Sequence, residues 1–157
     1  MPNSRPKTPC VGLCSTVFGD TVCRGCMRFV HEVIDWNKYN AAQKQIIWQR
    51  LDEHLRVILP QFVKIYDPRK IVARLQQQRI IYDEKNLWRG IYSLLRLHDK
   101  GFIVLDDVGF SIKEDYHWTV VQQQLYQLAS AYYQKDLGNI RQSYYQVNDM
   151  SNINLVN

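Results

Sequence analysis

Apolar positions three and four residues apart recur along most of the chain, and they set the expected architecture before composition is considered. Phe29, Val30, Val33 and Ile34 make one face of a short helix over about 27–36. Asn40 reads as an N-cap, with Gln43 three residues on to complete a capping box. Ile47, Leu51, Leu55 and Ile58 then form the buried stripe of a helix over about 41–58, which Pro60 stops. Asp67-Pro68 opens the next helix, an N-cap followed by proline at the first helical position. Ile71, Val72 and Leu75 face one way along it to about residue 80. Asp83 caps a further helix that carries Leu87, Ile91, Leu94 and Leu95 and ends at Gly101.

The period then changes. Phe102–Leu105 and Phe110–Ile112 flank Asp106-Asp107-Val108-Gly109, which reads as a short β-hairpin. A longer helix over about 115–135 follows, with Trp118, Val121, Leu125, Leu128 and Tyr132 on its buried side. Beyond Gly138 the chain turns to Asn, Gln, Ser and Tyr without periodicity, so 138–157 reads as a weakly ordered tail. The expected fold is therefore mainly α, with a helical block over 60–137 that bears one β-hairpin.

Residues 1–59 stand apart because all four cysteines of the chain fall there, as Cys10-x₃-Cys14-x₈-Cys23-x₂-Cys26. Four thiolates this close can close a tetrahedron around one ion, as in structural zinc sites and iron–sulfur centres. Gly12 and Gly25 let the backbone turn tightly, so that amide N–H groups can face sulfur. Lys7, Arg24 and Arg28 can offset the negative charge of such a shell. The short spacing and the absence of proline after Cys26 favour Zn²⁺, with an iron–sulfur cluster as the alternative. Pro2, Pro6 and Pro9 make residues 1–9 an irregular lead-in, and no signal peptide or membrane span is expected. In a reducing cytoplasm the clustered thiols read as metal ligands in preference to disulfides.

Thr8-Pro9-Cys10-Val11-Gly12-Leu13-Cys14, Cys23-Arg24-Gly25-Cys26-Met27-Arg28, Glu32-Val33 and Trp36 together resemble the short bacterial proteins grouped as domain of unknown function 1289. The resemblance covers about residues 7–56 and takes in Arg50-Leu51. Members are often labelled predicted iron–sulfur proteins. The resemblance thus implies metal binding by the cysteines, with no activity attached. Thr8 stands where the family usually has Ser, and Phe29 where a small polar residue is common.

Charge adds one further expectation. The chain carries a formal net charge of +5, and the basic excess lies over 60–100, with 9 basic and 4 acidic residues. Helix, helix and hairpin in that order resemble a winged helix-turn-helix, in which the helix before the wing enters the major groove. Lys85, Arg89, Arg96 and Lys100 would be its positive groups, with Lys85, Arg89 and Arg96 on one exposed stripe. His31, His54, His98 and His117 are scattered, and no nucleophile elbow or phosphate loop occurs, so no catalytic constellation is found. His31, five residues beyond Cys26, reads as a surface helix residue. The expectation is a cytoplasmic metal-binding protein whose Cys₄ module meets an unidentified protein partner. Its alternatives are a nucleic-acid-binding regulator and an iron–sulfur redox accessory.

Overall fold

In the computed structural model the backbone is described for residues 6–153, and side chains through Leu137 and at Asn139. Among the described residues five α-helices and one two-stranded antiparallel sheet make a mainly α fold: α1 Val30–Asp35, α2 Ala41–Ile58, β1 Val63–Ile65, α3 Pro68–Gln77, α4 Trp88–Asp99, β2 Phe110–Ile112 and α5 Trp118–Ile153. No helix among the described residues is long and apolar enough to cross a membrane.

The capping box at α2 forms as expected. Asn40 Oδ1 accepts from the Gln43 amide at 2.9 Å, and Gln43 Oε1 accepts from the Asn40 amide at 2.9 Å. Two orphan donors of the first turn are thereby satisfied. Ile47, Leu51, Leu55 and Ile58 are all buried, which confirms the stripe. The stripe packs chiefly against α4 and α5, not against the short helix that carries Val30 and Val33. One hydrophobic cluster runs from Val22 and Phe29 through α2 to Ile91, Leu94 and Leu95 of α4 and Val121, Leu125 and Ala129 of α5.

α1 is shorter than its apolar run suggested, and it turns a different face inward. Ile34 is exposed and Glu32 is buried, because Glu32 is the anchor of the helix. Its carboxylate takes a bidentate pair from Arg50 of α2, with Arg50 Nη2 at 2.6 Å, and accepts the Phe29 amide at 3.2 Å. The Arg50 guanidinium also lies 3.8 Å over the Phe29 ring. A buried, hydrogen-bonded ion pair thus outweighs the exposed Ile34 in fixing the rotation of this helix.

Three other boundaries move. α4 starts at Trp88, because Asp83 spends its carboxylate on the Lys85 amide at 2.9 Å and the chain makes a tight turn there. Strand β2 forms where expected, but its partner is β1, in the register Val63↔Ile112, Lys64↔Ser111 and Ile65↔Phe110, and not 102–105. That segment forms no strand, and Ile103 and Leu105 are half-buried. Its Val104 carbonyl accepts from Arg74 Nη2 at 2.5 Å in place of a strand. Gly109 makes the actual crossing possible. Its carbonyl takes both the Tyr66 and Asp67 amides at 3.0 Å, at φ +91, and a Cβ there would meet the Asp67 carbonyl at 2.2 Å. The backbone of α5 is helical through Ile153, past Gly138 where a tail was expected, and residues 154–157 lie outside the described residues.

His54 is a polar misfit in the core. His54, 3% exposed, has no hydrogen-bond partner at either ring nitrogen and meets Tyr132 edge-on at 4.7 Å. Burial, and then the Arg50 charge, pushes its pKa down to about 4 from an ordinary 6.5.

Two outcomes follow from this packing. Leu51→Ala, at a site 3% exposed, should cost roughly 2–5 kcal/mol in urea unfolding, and a cost near zero would show that the α2 face has been misplaced. His54 is kept neutral by the fold, while the unfolded chain protonates it below pH 6.5. Its contribution is full above that pH and is lost as the pH falls toward 4. Between those values His54→Leu should unfold with a shallower pH dependence than the parent chain, and parallel curves would contradict it.

Candidate metal centre in the cysteine loop

The cysteines sit on two short segments that dock on each other. In the first, the Cys10 amide donates to Thr8 Oγ1 at 3.2 Å and the Gly12 amide to Cys10 Sγ at 3.4 Å, with Gly12 at φ +93. One 3-10 turn over Ser15–Phe18 follows Cys14, whose sulfur lies 2.9 Å from Thr16 Oγ1. In the second, an antiparallel bridge between Val22 and Phe29 closes the loop. Within it the Met27 amide donates to the Cys23 carbonyl at 2.7 Å and the Cys23 amide to the Arg28 carbonyl at 2.9 Å. This is a tight knuckle of the kind that aims amides at a thiolate.

Contacts between the segments are close. The Arg24 amide donates to Ser15 Oγ at 2.9 Å, and the Cys23 thiol reaches the Leu13 carbonyl at 3.7 Å. Gly25 is the point of nearest approach. A Cβ there would lie 2.7 Å from Val11 Cγ2 and 2.8 Å from the Leu13 carbonyl.

None of the four cysteines is in a disulfide; Cys23 is buried, Cys14 and Cys26 are half-buried, and Cys10 is exposed. Cys23 and Cys26 stand together. Chiefly through the hydrogen bond from Cys26, and with the amides of Cys26, Ser15 and Gly25 against the cost of burial, the Cys23 thiol is held down to about 4. The Cys26 thiol is pushed above the usual range, first by that same bond and then by burial. Cys10 and Cys14 stand apart from this pair. Among the described residues no three Cys, His, Asp or Glu side chains are close enough, as placed, to hold a metal ion.

Arg28 is the residue that adds most to the chemistry of the loop. It is 4% exposed, its Nε donates to Cys26 Sγ at 3.3 Å, and its guanidinium lies 4.9 Å over Trp36. The Trp36 indole N–H in turn donates to the Lys7 carbonyl at 3.2 Å and so ties down the chain leading to Cys10. No carboxylate pairs with Arg28 among the described residues, and its polar partner there is the Cys26 sulfur. His31 is turned away, exposed beside Phe29 and Tyr133. Leu13 in the first cysteine segment, and Val17 and Phe18 in the turn that follows it, are large apolar side chains at 78%, 75% and 90% exposed.

The four basic residues read from the sequence as a nucleic-acid face are not gathered on one stripe. Lys85 is exposed but lies in the turn before α4, and Lys100 follows its end. Arg89 points at α2, with Nε 2.5 Å from Asp52 Oδ1 and its guanidinium 5.0 Å over Trp48. Arg96 is half-buried, and Asp99 is the one fully exposed position on α4. Sequence reasoning missed the burial of Arg28, Glu32, Asp52 and His54. The one available signal was Glu32 at the third position of a helix, where a carboxylate can reach back to the preceding amides.

A thiol-rich loop on a helical scaffold is thus the class of structure defined here. Residues 8–55 match the family described as Protein of unknown function (DUF1289), a span that takes in the cysteine loop, α1 and all but the end of α2. No curated protein and no solved structure matches the chain.

Gly25→Ala should force the two cysteine segments apart at a cost of about 1–3 kcal/mol, typical of overpacking. A lowered urea midpoint with unchanged slope is the expected result, and an unaltered midpoint would show that the segments do not pack as described.

Proposed function

We propose that Cys10, Cys14, Cys23 and Cys26 together hold one metal centre, Zn²⁺ by preference, which fixes the N-terminal module as a docking surface for a protein partner. The observation that carries this reading is Arg28. A buried guanidinium without a carboxylate is costly, and an anionic sulfur shell beside it offsets that cost. The Cys23–Cys26 knuckle with its inward amides is the preformed half of the ligand set. Cys10 and Cys14 are the half that closes on the ion. Bound zinc would supply folding free energy on the order of 10 kcal/mol, as in small zinc modules. The exposure of Leu13, Val17 and Phe18 within six residues of chain supports the partner side of the reading, since large apolar side chains left in solvent mark contact surfaces. The redox alternative turns on the same ligands holding an iron–sulfur cluster.

Protein purified without oxygen should contain one metal per chain by elemental analysis. A colourless zinc protein supports the structural reading, and a brown protein with iron and sulfide supports the redox one. Replacing any one of the four cysteines by Ser should sharply reduce bound metal. If the fourfold Ser variant keeps both its metal and its melting temperature, the proposal fails.

A further inference from the structure

Between the segment carrying Cys10 and the outer side of α4 lies a cavity of about 290 Å³, close to the lower bound of small-molecule sites. Among the described residues its wall carries three arginines, Arg79, Arg89 and Arg96, and no carboxylate. Arg89 is already neutralised by Asp52. The guanidinium groups of Arg79 and Arg96 have no hydrogen-bonding or ionic partner among the described residues. Arg79 reaches this wall from a strained position. It has φ +53 just past the end of α3, in the left-handed region that a Cβ disfavours and that glycine occupies freely. Two like charges facing one cavity repel each other until an anion lies between them.

We propose that this cavity binds a small phosphate-bearing molecule. Two uncompensated guanidiniums match a dianion, whereas a lone carboxylate would neutralise only one of them. The planar fork of each arginine presents paired N–H donors that suit phosphate oxygens. Ile80, Ile81 and the Trp48 indole supply an apolar wall for an organic group attached to the phosphate. Cys10 lies on the rim, so an occupant would sit against the cysteine loop, although the proposal does not depend on bound metal.

The test is isothermal titration of the full chain at low ionic strength with inorganic phosphate and with phenyl phosphate, repeated on Arg79→Gln, Arg96→Gln and Arg96→Lys. Saturable one-to-one binding is expected, tighter for phenyl phosphate because of the apolar wall. Each Gln substitution should weaken it at least about tenfold, the worth of one charge-assisted hydrogen bond. Arg96→Lys should fall between, since it keeps the charge and loses the fork. Melting temperatures without ligand should be unchanged, because neither guanidinium makes a contact that the fold uses. If Arg96→Gln proves unstable, Arg79→Gln on its exposed turn decides the matter. The proposal is overturned if neither probe binds saturably at millimolar concentration, or if binding survives both Gln substitutions. It is also overturned if duplex DNA displaces phenyl phosphate and is itself lost in the same variants, which would make the arginines a nucleic-acid contact.

Discussion

The bidentate pair between Arg50 and Glu32 holds the cysteine loop on its scaffold. Glu32 belongs to a helix too short to be stable alone. Its carboxylate joins that helix to α2 and at the same time satisfies the Phe29 amide at the end of the second cysteine segment. Arg50 covers the face of Phe29, which is itself fully buried. Loss of either partner would leave a charge stranded in a site from which water is excluded, a heavier penalty than the loss of a surface ion pair. Two residues further along α2, Asp52 plays the same part toward Arg89 of α4. One helix thus clamps the loop on one side and the helical block on the other, through adjacent charges of opposite sign.

The distinction between what could and could not be read from the sequence follows from how local each determinant is. The start of α2 was legible because both partners of its capping box lie within four residues. The start of α3 was legible because Asp67 accepts the Arg69 amide and proline takes the first helical position. The face of α1 was not, because a ridge of Phe29, Val33 and Ile34 looks more apolar than one containing a glutamate. Only the distant Arg50 makes burial of that glutamate favourable. The pairing of β2 was hidden for the same reason. Phe102–Leu105 has the alternation of a strand, but Arg74 takes its free carbonyl and β1 takes its place.

The cysteine loop divides in a similar way. Spacing alone pointed to four ligands, and the docked segments and the Cys23–Cys26 pair are consistent with the turn-forming roles read for Gly12 and Gly25. The burial of Arg28 could not be inferred from spacing, since an arginine two residues after a cysteine is equally at home in solvent. The basic residues of the middle block were misjudged on the opposite count. Their periodicity is that of an exposed helical stripe, yet Arg89 turns to Asp52 of α2 and Arg96 is half-buried on the wall of a cavity beside the N-terminal segment.

The strand pair carries a consequence of its own. A hairpin across Asp106–Gly109 would have closed a loop of a few residues, whereas the observed pairing of Ile65 with Phe110 spans two helices. Loop-closure entropy rises with the logarithm of length, so the longer circuit costs about 2 kcal/mol more than the short turn. Three-residue strands have few cross-links with which to recover it. The sheet therefore depends on α3 and α4 having already brought its ends together. It acts as a clasp on a helical excursion, a non-local contact that registers the docking of the helices and does not drive it.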